Sequence, residues 1–185
     1  MKKQPHITEQ TRKKLLDGFW NLYKKKDITQ ITVKNICDIA SYERTTFYRY
    51  FTDITDILNQ LEDYVINNIK NEISIKLKSI EPITISSEGF TKFTSVYGEY
   101  LVIFSEKGNI SFNKKFKKLI KTDVFDYLNI NISDENKKDF VFEFIFSSLL
   151  NSFIYWYRHQ KTMSIESFIQ FTNNILSIEN SSIFK

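Results

Sequence analysis

The chain has 185 residues, with 26 Lys and Arg against 22 Asp and Glu, and it contains a single cysteine. One cysteine excludes an intramolecular disulfide framework and fits a reduced cytoplasm. The net positive charge lies in residues 1–60, which hold 11 basic and 7 acidic side chains, whereas residues 61–185 hold 15 of each. Only four glycines and two prolines favour long helices with few turns, so we expect an all-α fold.

Hydropathy predicts neither a targeting signal nor a membrane span. The N-terminal residues are polar and lead into an amphipathic helix. The most apolar stretch, residues 140–157, is interrupted by Glu143 and by four small polar side chains. We therefore expect a cytoplasmic protein without a membrane partner.

The first predicted helix runs from Thr8 to about Lys26 and is followed by two short helices within residues 32–51. In the first of this pair, apolar residues recur with i, i+3, i+4, i+7 spacing and Thr32 stands at the N-cap position. Cys37 belongs to this apolar stripe, which favours a small core residue over a redox sensor.

The second helix of the pair separates apolar from polar side chains. Steps of about 100° per residue place Phe47, Tyr50 and Phe51 on one side of the helix. The opposite arc presents Arg44, Thr45, Tyr48 and Arg49. A helix with one buried edge and one edge of guanidinium, hydroxyl and aromatic groups suits a DNA major groove. On this pattern alone, a helical hairpin with a solvated basic face remains the alternative.

Five further helices are predicted downstream. A long helix covers residues 53–77 and carries a sustained apolar stripe. Beyond a boundary near Pro82, the predicted helices cover residues 88–106, 112–128, 134–159 and a segment that Ser164 caps. Apolar side chains cover nearly half of the circumference of the helix of residues 134–159, and its opposite arc mixes Phe140 and Phe144 with polar residues. Both sides are therefore only partly polar, which implies that a second surface covers the helix.

Residues 40–51, Ala-Ser-Tyr-Glu-Arg-Thr-Thr-Phe-Tyr-Arg-Tyr-Phe, and the following Thr-Asp-Ile-Thr-Asp-Ile-Leu resemble the signature of the TetR family of bacterial transcriptional regulators. The matching residues are Ala40, Thr46, Phe47, Tyr48, Tyr50, Phe51 and Leu58. This resemblance implies a helix-turn-helix DNA-binding domain in residues 1–53. It also implies a regulatory, ligand-binding and dimerisation domain in residues 54–185, with residues 54–77 as the connecting helix.

The same resemblance, taken together with the polar arc, predicts the DNA contacts. Lys34, Arg44 and Thr45 are expected to read bases, Arg44 by pairing with guanine through two hydrogen bonds. The other residues of the predicted DNA-binding set, most of them expected to hold phosphates, are Thr32, Thr46, Tyr48, Arg49 and Tyr50.

Three positions depart from the family pattern. Ser41 stands where a turn glycine is usual, Glu43 replaces an N-cap serine, and Ile54 replaces a lysine that often holds a phosphate. Ser41 and Ile54 keep a second interpretation open, in which a TetR-like chain has lost operator binding and regulates through a protein partner.

In the regulatory domain the resemblance favours a homodimer through the helices of residues 134–159 and 164–178, although these helices could instead close the monomer core. An apolar or aromatic effector is expected between the helices of residues 88–106, 112–128 and 134–159. The candidate lining residues, for which plain core packing is the alternative, are Tyr97, Tyr100, Phe104, Phe116, Phe144, Ser147 and Asn151.

Enzymatic chemistry is not indicated. His6 and His159 stand apart from Cys37 and from any cluster of carboxylates in the sequence. Neither a phosphate-cradling glycine loop nor a metal-ligand spacing nor a nucleophile motif is present, so we expect no cofactor and no metal. The sequence predicts a ligand-responsive repressor that binds a near-palindromic DNA operator as a dimer.

Overall fold

The computed structural model of the chain describes residues 5–77, 87–128, 132–159 and 162–180. Within these ranges the backbone forms eight α-helices and one 3₁₀ turn, and it contains no strand. The all-α prediction is confirmed. The helices are α1 (Pro5–Tyr23), α2 (Val33–Ala40), α3 (Arg44–Phe47), α4 (Ile54–Leu77), α5 (Ser87–Glu106), α6 (Ile110–Leu128), α7 (Glu135–Arg158) and α8 (Ile165–Asn180).

Two helices near the N-terminus differ from the sequence prediction. The helix α1 begins and ends three residues earlier than expected. The helix α3 has only four residues, because the chain continues from Phe47 in i→i−3 hydrogen bonds. The amide of Arg49 donates to the carbonyl of Thr46, and the amide of Tyr50 donates to the carbonyl of Phe47. Such 3₁₀-type bonds commonly satisfy the last carbonyls of a helix.

The chain divides into two compact units, an N-terminal unit of residues Met1–Val65 and a C-terminal unit of residues Ile66–Lys185. In the N-terminal unit α1 packs against α2, and α2 packs against α3. The side chains of Phe19, Ile36 and Phe47 are fully buried at the centre of this unit. Cys37 is buried among them, and burial raises the pKa of its thiol, as is typical of a small core residue.

The C-terminal unit has a core made largely of aromatic rings. Helix α5 contacts α6, α7 and α8, and α6 also contacts α7. The rings of Phe104 and Phe112 lie 4.4 Å apart between centroids, and Trp156 stacks on Phe168 at 5.0 Å. Contacts of this kind add to the stabilisation that burial itself provides.

Helix α7 is the one helix in the described ranges that is long and apolar enough, by length and composition, to cross a membrane. Core helices of soluble proteins have the same length and composition, so these two properties are weak evidence for a membrane span. Five side chains of α7 are buried inside the C-terminal unit: Phe142, Ile145, Phe146, Phe153 and Trp156.

Candidate functional site

A capping box fixes the start of α2. The hydroxyl oxygen of Thr32 accepts a hydrogen bond from the amide of Asn35 at 3.2 Å, and Oδ1 of Asn35 accepts from the amide of Thr32 at 3.3 Å. These two bonds satisfy backbone donors that the first helical turn leaves free. Lys34 is exposed in this turn. The cap therefore occupies the Thr32 hydroxyl and also sets the position from which Lys34 projects.

The turn between α2 and α3 is made by Ser41 in the left-handed conformation, with φ 58° and ψ 44°. The amides of Ser41 and Tyr42 both donate to the carbonyl of Cys37, which closes the end of α2. A residue with a Cβ atom adopts this conformation at a cost of about 1–2 kcal/mol. The turn geometry of a helix-turn-helix is thus built here without its usual glycine.

Replacing Ser41 with glycine is expected to raise the free energy of unfolding by about 1 kcal/mol, because glycine adopts φ > 0 without strain. Urea denaturation followed by circular dichroism would measure the change. Ser41→Ala is the matched control, since alanine retains the Cβ atom and the strain. A glycine variant no more stable than the alanine variant would show that the turn is unstrained.

Helix α3 is anchored by its apolar side and exposes its polar side. Phe47 is fully buried and Phe51 is 2% exposed, with their ring centroids 5.3 Å apart. Glu43 is the N-cap residue, but its side chain makes no capping hydrogen bond. It leaves a negative charge at the positive end of a very short helix.

The eight predicted DNA-binding residues lie along one continuous stretch of α2, the turn and α3. Six of them are exposed, among them Tyr48, whose exposed fraction is 59%. Thr46 and Tyr50 are half-buried. The exposed members, all of which are in a position to meet a partner, are Thr32, Lys34, Arg44, Thr45, Tyr48 and Arg49.

A hydrogen-bond network that centres on Gln60 links three segments of the N-terminal unit. The guanidinium of Arg12 in α1 donates to Oε1 of Gln60 at 3.0 and 3.2 Å. The amide nitrogen of Gln60 donates to the carbonyl of Tyr50 at 3.1 Å and to Oδ1 of Asp56 at 3.2 Å. The network therefore holds the end of the α3 segment (α3 and the turn that follows it, residues 44–51) against α1 and α4. Sequence reasoning missed Gln60, for which the i, i+4 spacing from Asp56 is the only signal.

Asp56 also fastens the loop before α4. Its Oδ2 accepts a hydrogen bond from the amide of Thr52 at 2.8 Å, and this bond is the main reason that the pKa of the carboxyl is lowered. The stabilisation that this hydrogen bond gives the folded state is therefore present at neutral pH. It is lost as the pH falls through the lowered pKa of Asp56. Ile54 opens α4 and is half-buried, with no charge to offer a phosphate.

An apolar cavity of about 210 Å³ lies among α5, α6, α7 and α8 of the C-terminal unit. Phe90, Phe93 and Leu101 of α5 face Phe146, Leu149 and Phe153 of α7 across it. Thr172 and Asn173 of α8 are the polar members of a lining that is otherwise aliphatic and aromatic. The remaining lining residues are Phe116, Ile120, Leu150, Phe168 and Ile169.

A second cavity, of about 340 Å³, adjoins the first and is more polar. It is lined by residues of α5, α6 and α7: Ser105, Glu106, Asn113, Lys117, Phe146, Ser147, Leu150, Asn151 and Ile154. Phe146 and Leu150 belong to the linings of both cavities. They therefore form the wall that the two cavities share.

The seven predicted effector-binding residues are distributed unevenly over these cavities. Phe116 lines the apolar cavity, and Ser147 and Asn151 line the polar cavity. Neither lining includes the other four. Tyr97 and Phe104 are buried in ring contacts, Tyr100 stacks on Phe104, and Phe144 is 58% exposed. The helical spacing of aromatic residues in the sequence does not distinguish the residues that pack in the core from those that line a cavity.

The described residues contain no group of three His, Cys, Asp or Glu side chains that could hold a metal ion. The structure instead combines two units: an N-terminal unit with helix-turn-helix geometry and a helical C-terminal unit that contains cavities. Residues 90–177 match a family model, TetR_C_8, that is described as a transcriptional regulator C-terminal region. No curated protein matches the chain significantly in sequence.

Three solved structures share the fold. A TetR transcriptional regulator from Streptococcus agalactiae 2603V has a TM-score of 0.67 and 19% identity, over 92% of this chain and 96% of that chain. The fatty acid degradation regulator FadR from Bacillus halodurans has a TM-score of 0.63 and 15% identity, over 95% and 96%. A tetR-family transcriptional regulator from Streptomyces coelicolor has a TM-score of 0.63 and 12% identity, over 90% and 78%.

These likenesses show the fold, and the family model adds a match in sequence. Residues 90–177 match a transcriptional-regulator family in sequence, and the chain as a whole has the fold of TetR-family regulators. The resemblance identified in the sequence is therefore confirmed. Regulators of this family bind DNA and dimerise, and they are not enzymes.

Proposed function

We propose that the chain is a cytoplasmic, ligand-responsive repressor that binds a near-palindromic operator as a homodimer. The observation that carries this proposal is the outer face of the α3 segment. Arg44, Thr45, Tyr48 and Arg49 are exposed there, on a segment that Phe47 and Phe51 anchor to the core. Arginine, hydroxyl and aromatic groups on a rigid helix are suited to contacts in a major groove.

We assign base contacts to Lys34, Arg44 and Thr45. Arg44 is in the first turn of α3, the second helix of the pair, which is where helix-turn-helix proteins meet base edges. The assignment of Lys34, in the first turn of α2, follows the resemblance to the TetR family. Contacts to DNA phosphates are assigned to Tyr48 and Arg49 on the exposed face and to Tyr50 beside it. Thr32, which caps α2, and Thr46, which is half-buried, lie at the edge of the same surface. We assign them contacts at this edge of the DNA interface.

A dimer is supported by exposed apolar side chains on α7 and α8. On α7, Phe140 is 81%, Phe144 58% and Tyr155 67% exposed, and on α8 Phe171 is 54% exposed. Large apolar surfaces of this kind mark interaction sites. Two helices from each of two chains would pack as a four-helix interface and bury these rings. The two α3 segments would then read half-sites about 34–36 Å apart.

The apolar cavity supports an apolar or aromatic effector. A lining of aromatic and aliphatic side chains gains most from an occupant that removes the same kind of surface from water. The Bacillus halodurans regulator is a regulator of fatty acid degradation. An acyl chain is one apolar group that such a cavity could accept. Effector binding would shift DNA affinity only if the effector prefers one of two arrangements of the dimer.

Sedimentation velocity of the purified chain, alone and with duplex DNA from upstream of its own gene, tests the assembly. The proposal predicts a dimer in free solution and two protomers on each operator. A chain that stays monomeric at micromolar concentration and on DNA would exclude dimeric operator binding.

A second function is kept open by one observation, the half-buried Ile54 at the start of α4. A chain that has lost a phosphate contact there could act through a protein partner instead. We expect Ile54→Lys to increase operator affinity, because a new lysine would neutralise one more phosphate. The slope of log affinity against log salt concentration should become steeper by about one. Ile54→Gln, which adds polarity without charge, is the control. DNA binding that is absent before and after the lysine is introduced would favour the partner-protein function.

A further inference from the structure

Two buried oxygen atoms in the described part of the C-terminal unit lack a hydrogen-bond partner. They are the hydroxyl oxygen of Ser105, near the end of α5, and Oδ1 of Asn113, in the first turn of α6. Both residues line the polar cavity. A buried polar atom without a partner destabilises a folded protein, and native structures contain few of them. Two such atoms on residues that line one cavity indicate an occupant that supplies the missing partners once a rotation of each side chain turns its oxygen toward the cavity.

The charges in this cavity are already compensated. Lys117 pairs with Glu143 at 2.5 Å, and Glu106 accepts a hydrogen bond from Nε of Arg158 at 3.1 Å. A charged occupant would have to displace one of these partners and lose its own hydration. A neutral group that can both donate and accept a hydrogen bond displaces neither partner and costs less to remove from water. The hydroxyl and the primary amide are the simplest groups of this kind.

The polar cavity and the apolar cavity share Phe146 and Leu150 in their linings. One molecule could therefore occupy both cavities if it has an apolar part and a polar end. We propose that the polar cavity binds the neutral, hydrogen-bonding head group of an amphipathic effector whose apolar part fills the apolar cavity. The head group donates to Oδ1 of Asn113 and accepts from the hydroxyl of Ser105. This inference rests on the proposed function, because the apolar cavity is the effector site proposed above.

Isothermal titration calorimetry of the full chain with two probes tests the proposal. The probes are n-butylbenzene and 4-phenylbutanamide, which differ in that an amide replaces the terminal methyl group. We expect the amide to bind the wild-type chain more tightly than the hydrocarbon. In Asn113→Leu, we expect the amide to lose about tenfold in affinity, the size of one hydrogen bond, and the hydrocarbon to keep its affinity. Ser105→Ala should lower the affinity of the amide in the same selective way.

A variant of the apolar cavity separates the two proposals. Leu149→Trp fills the apolar cavity and should weaken both probes. If both probes bind the wild type, and Leu149→Trp weakens them but Asn113→Leu does not affect the amide, the head-group site is refuted and the effector cavity stands. If neither probe binds the wild type, both the effector cavity and the head-group site are refuted.

The thermal stability of Asn113→Leu excludes a trivial loss of folding. Because Oδ1 of Asn113 lacks a partner, its removal should leave the melting temperature of the free protein unchanged or raised. A folded and equally stable variant that binds the hydrocarbon but has lost affinity for the amide supports the site. A melting temperature that falls by several degrees would show that Asn113 has a structural partner, and it would overturn the proposal.

Discussion

Replacing Arg44 with alanine is expected to remove most of the preference for the operator over a scrambled duplex. Arg44 is the first residue of α3 and is exposed, so its guanidinium can reach the N7 and O6 acceptors of a guanine. Loss of such a bidentate contact costs about 1–3 kcal/mol, or about five- to 150-fold in operator affinity. Affinity for the scrambled duplex should change little. Anisotropy titrations of both duplexes would measure the two effects side by side.

Arg49 provides the matched control, since it is the same residue type five positions further along the same surface. As a phosphate contact, Arg49→Ala should weaken both duplexes to a similar degree. It should also reduce the slope of log affinity against log salt concentration by about one. If Arg44→Ala instead weakens both duplexes equally, Arg44 holds a phosphate and its assignment as a base reader is wrong.

Replacing Phe144 with glutamate is expected to convert the dimer into monomers. The side chain is 58% exposed on α7, and a symmetric interface would bring two such carboxylates into a region that loses its water. Unpaired charges buried on association cost several kcal/mol, so the dissociation constant should rise by at least about 100-fold. Sedimentation velocity at micromolar concentration would detect the change directly.

The same variant should lose operator affinity, because a monomer contacts only one half-site. Val96→Glu is the matched control: Val96 is 48% exposed but lies on α5, outside the proposed interface of α7 and α8. It should remain dimeric and bind the operator normally. A Phe144→Glu protein that sediments as a dimer would place the interface elsewhere.

The sequence predicted the fold well where helices are long and periodic. The stripes of α4 and α7 each extend over several turns, so their bounds came within about a residue of the observed ones. The extent of the short helix α3 was harder to predict, because four residues are too few to show a helical period. Its anchoring by Phe47 and Phe51 was predicted nonetheless, since both rings fall on one edge.

The cavities were harder to predict because they depend on packing between helices rather than on any one helix. Phe104 and Phe116 occur in similar aromatic stripes, yet Phe104 is fully buried against Phe112 while Phe116 lines the apolar cavity. Helical periodicity shows which side of a helix is apolar, but not whether the facing helix fills the space. The unpartnered oxygen of Asn113 is likewise visible only when three helices are placed together.

The network around Gln60 shows a similar limit for the N-terminal unit. Arg12 is 48 residues from Gln60 in the sequence, and Gln60 contacts the backbone carbonyl of Tyr50 rather than its side chain. No residue pattern marks such a contact in advance. It matters for the proposed DNA contacts because it fixes the end of the segment that carries Arg44 and Arg49.

The most direct test of operator recognition is fluorescence anisotropy of the purified protein on DNA from upstream of its own gene. A scrambled duplex of equal length serves as the control, and the titration is repeated at several salt concentrations. We predict tight binding that prefers the native sequence and weakens steeply as salt increases. Equal, weak binding to both duplexes at every salt concentration would contradict operator recognition there and would favour regulation through a protein partner.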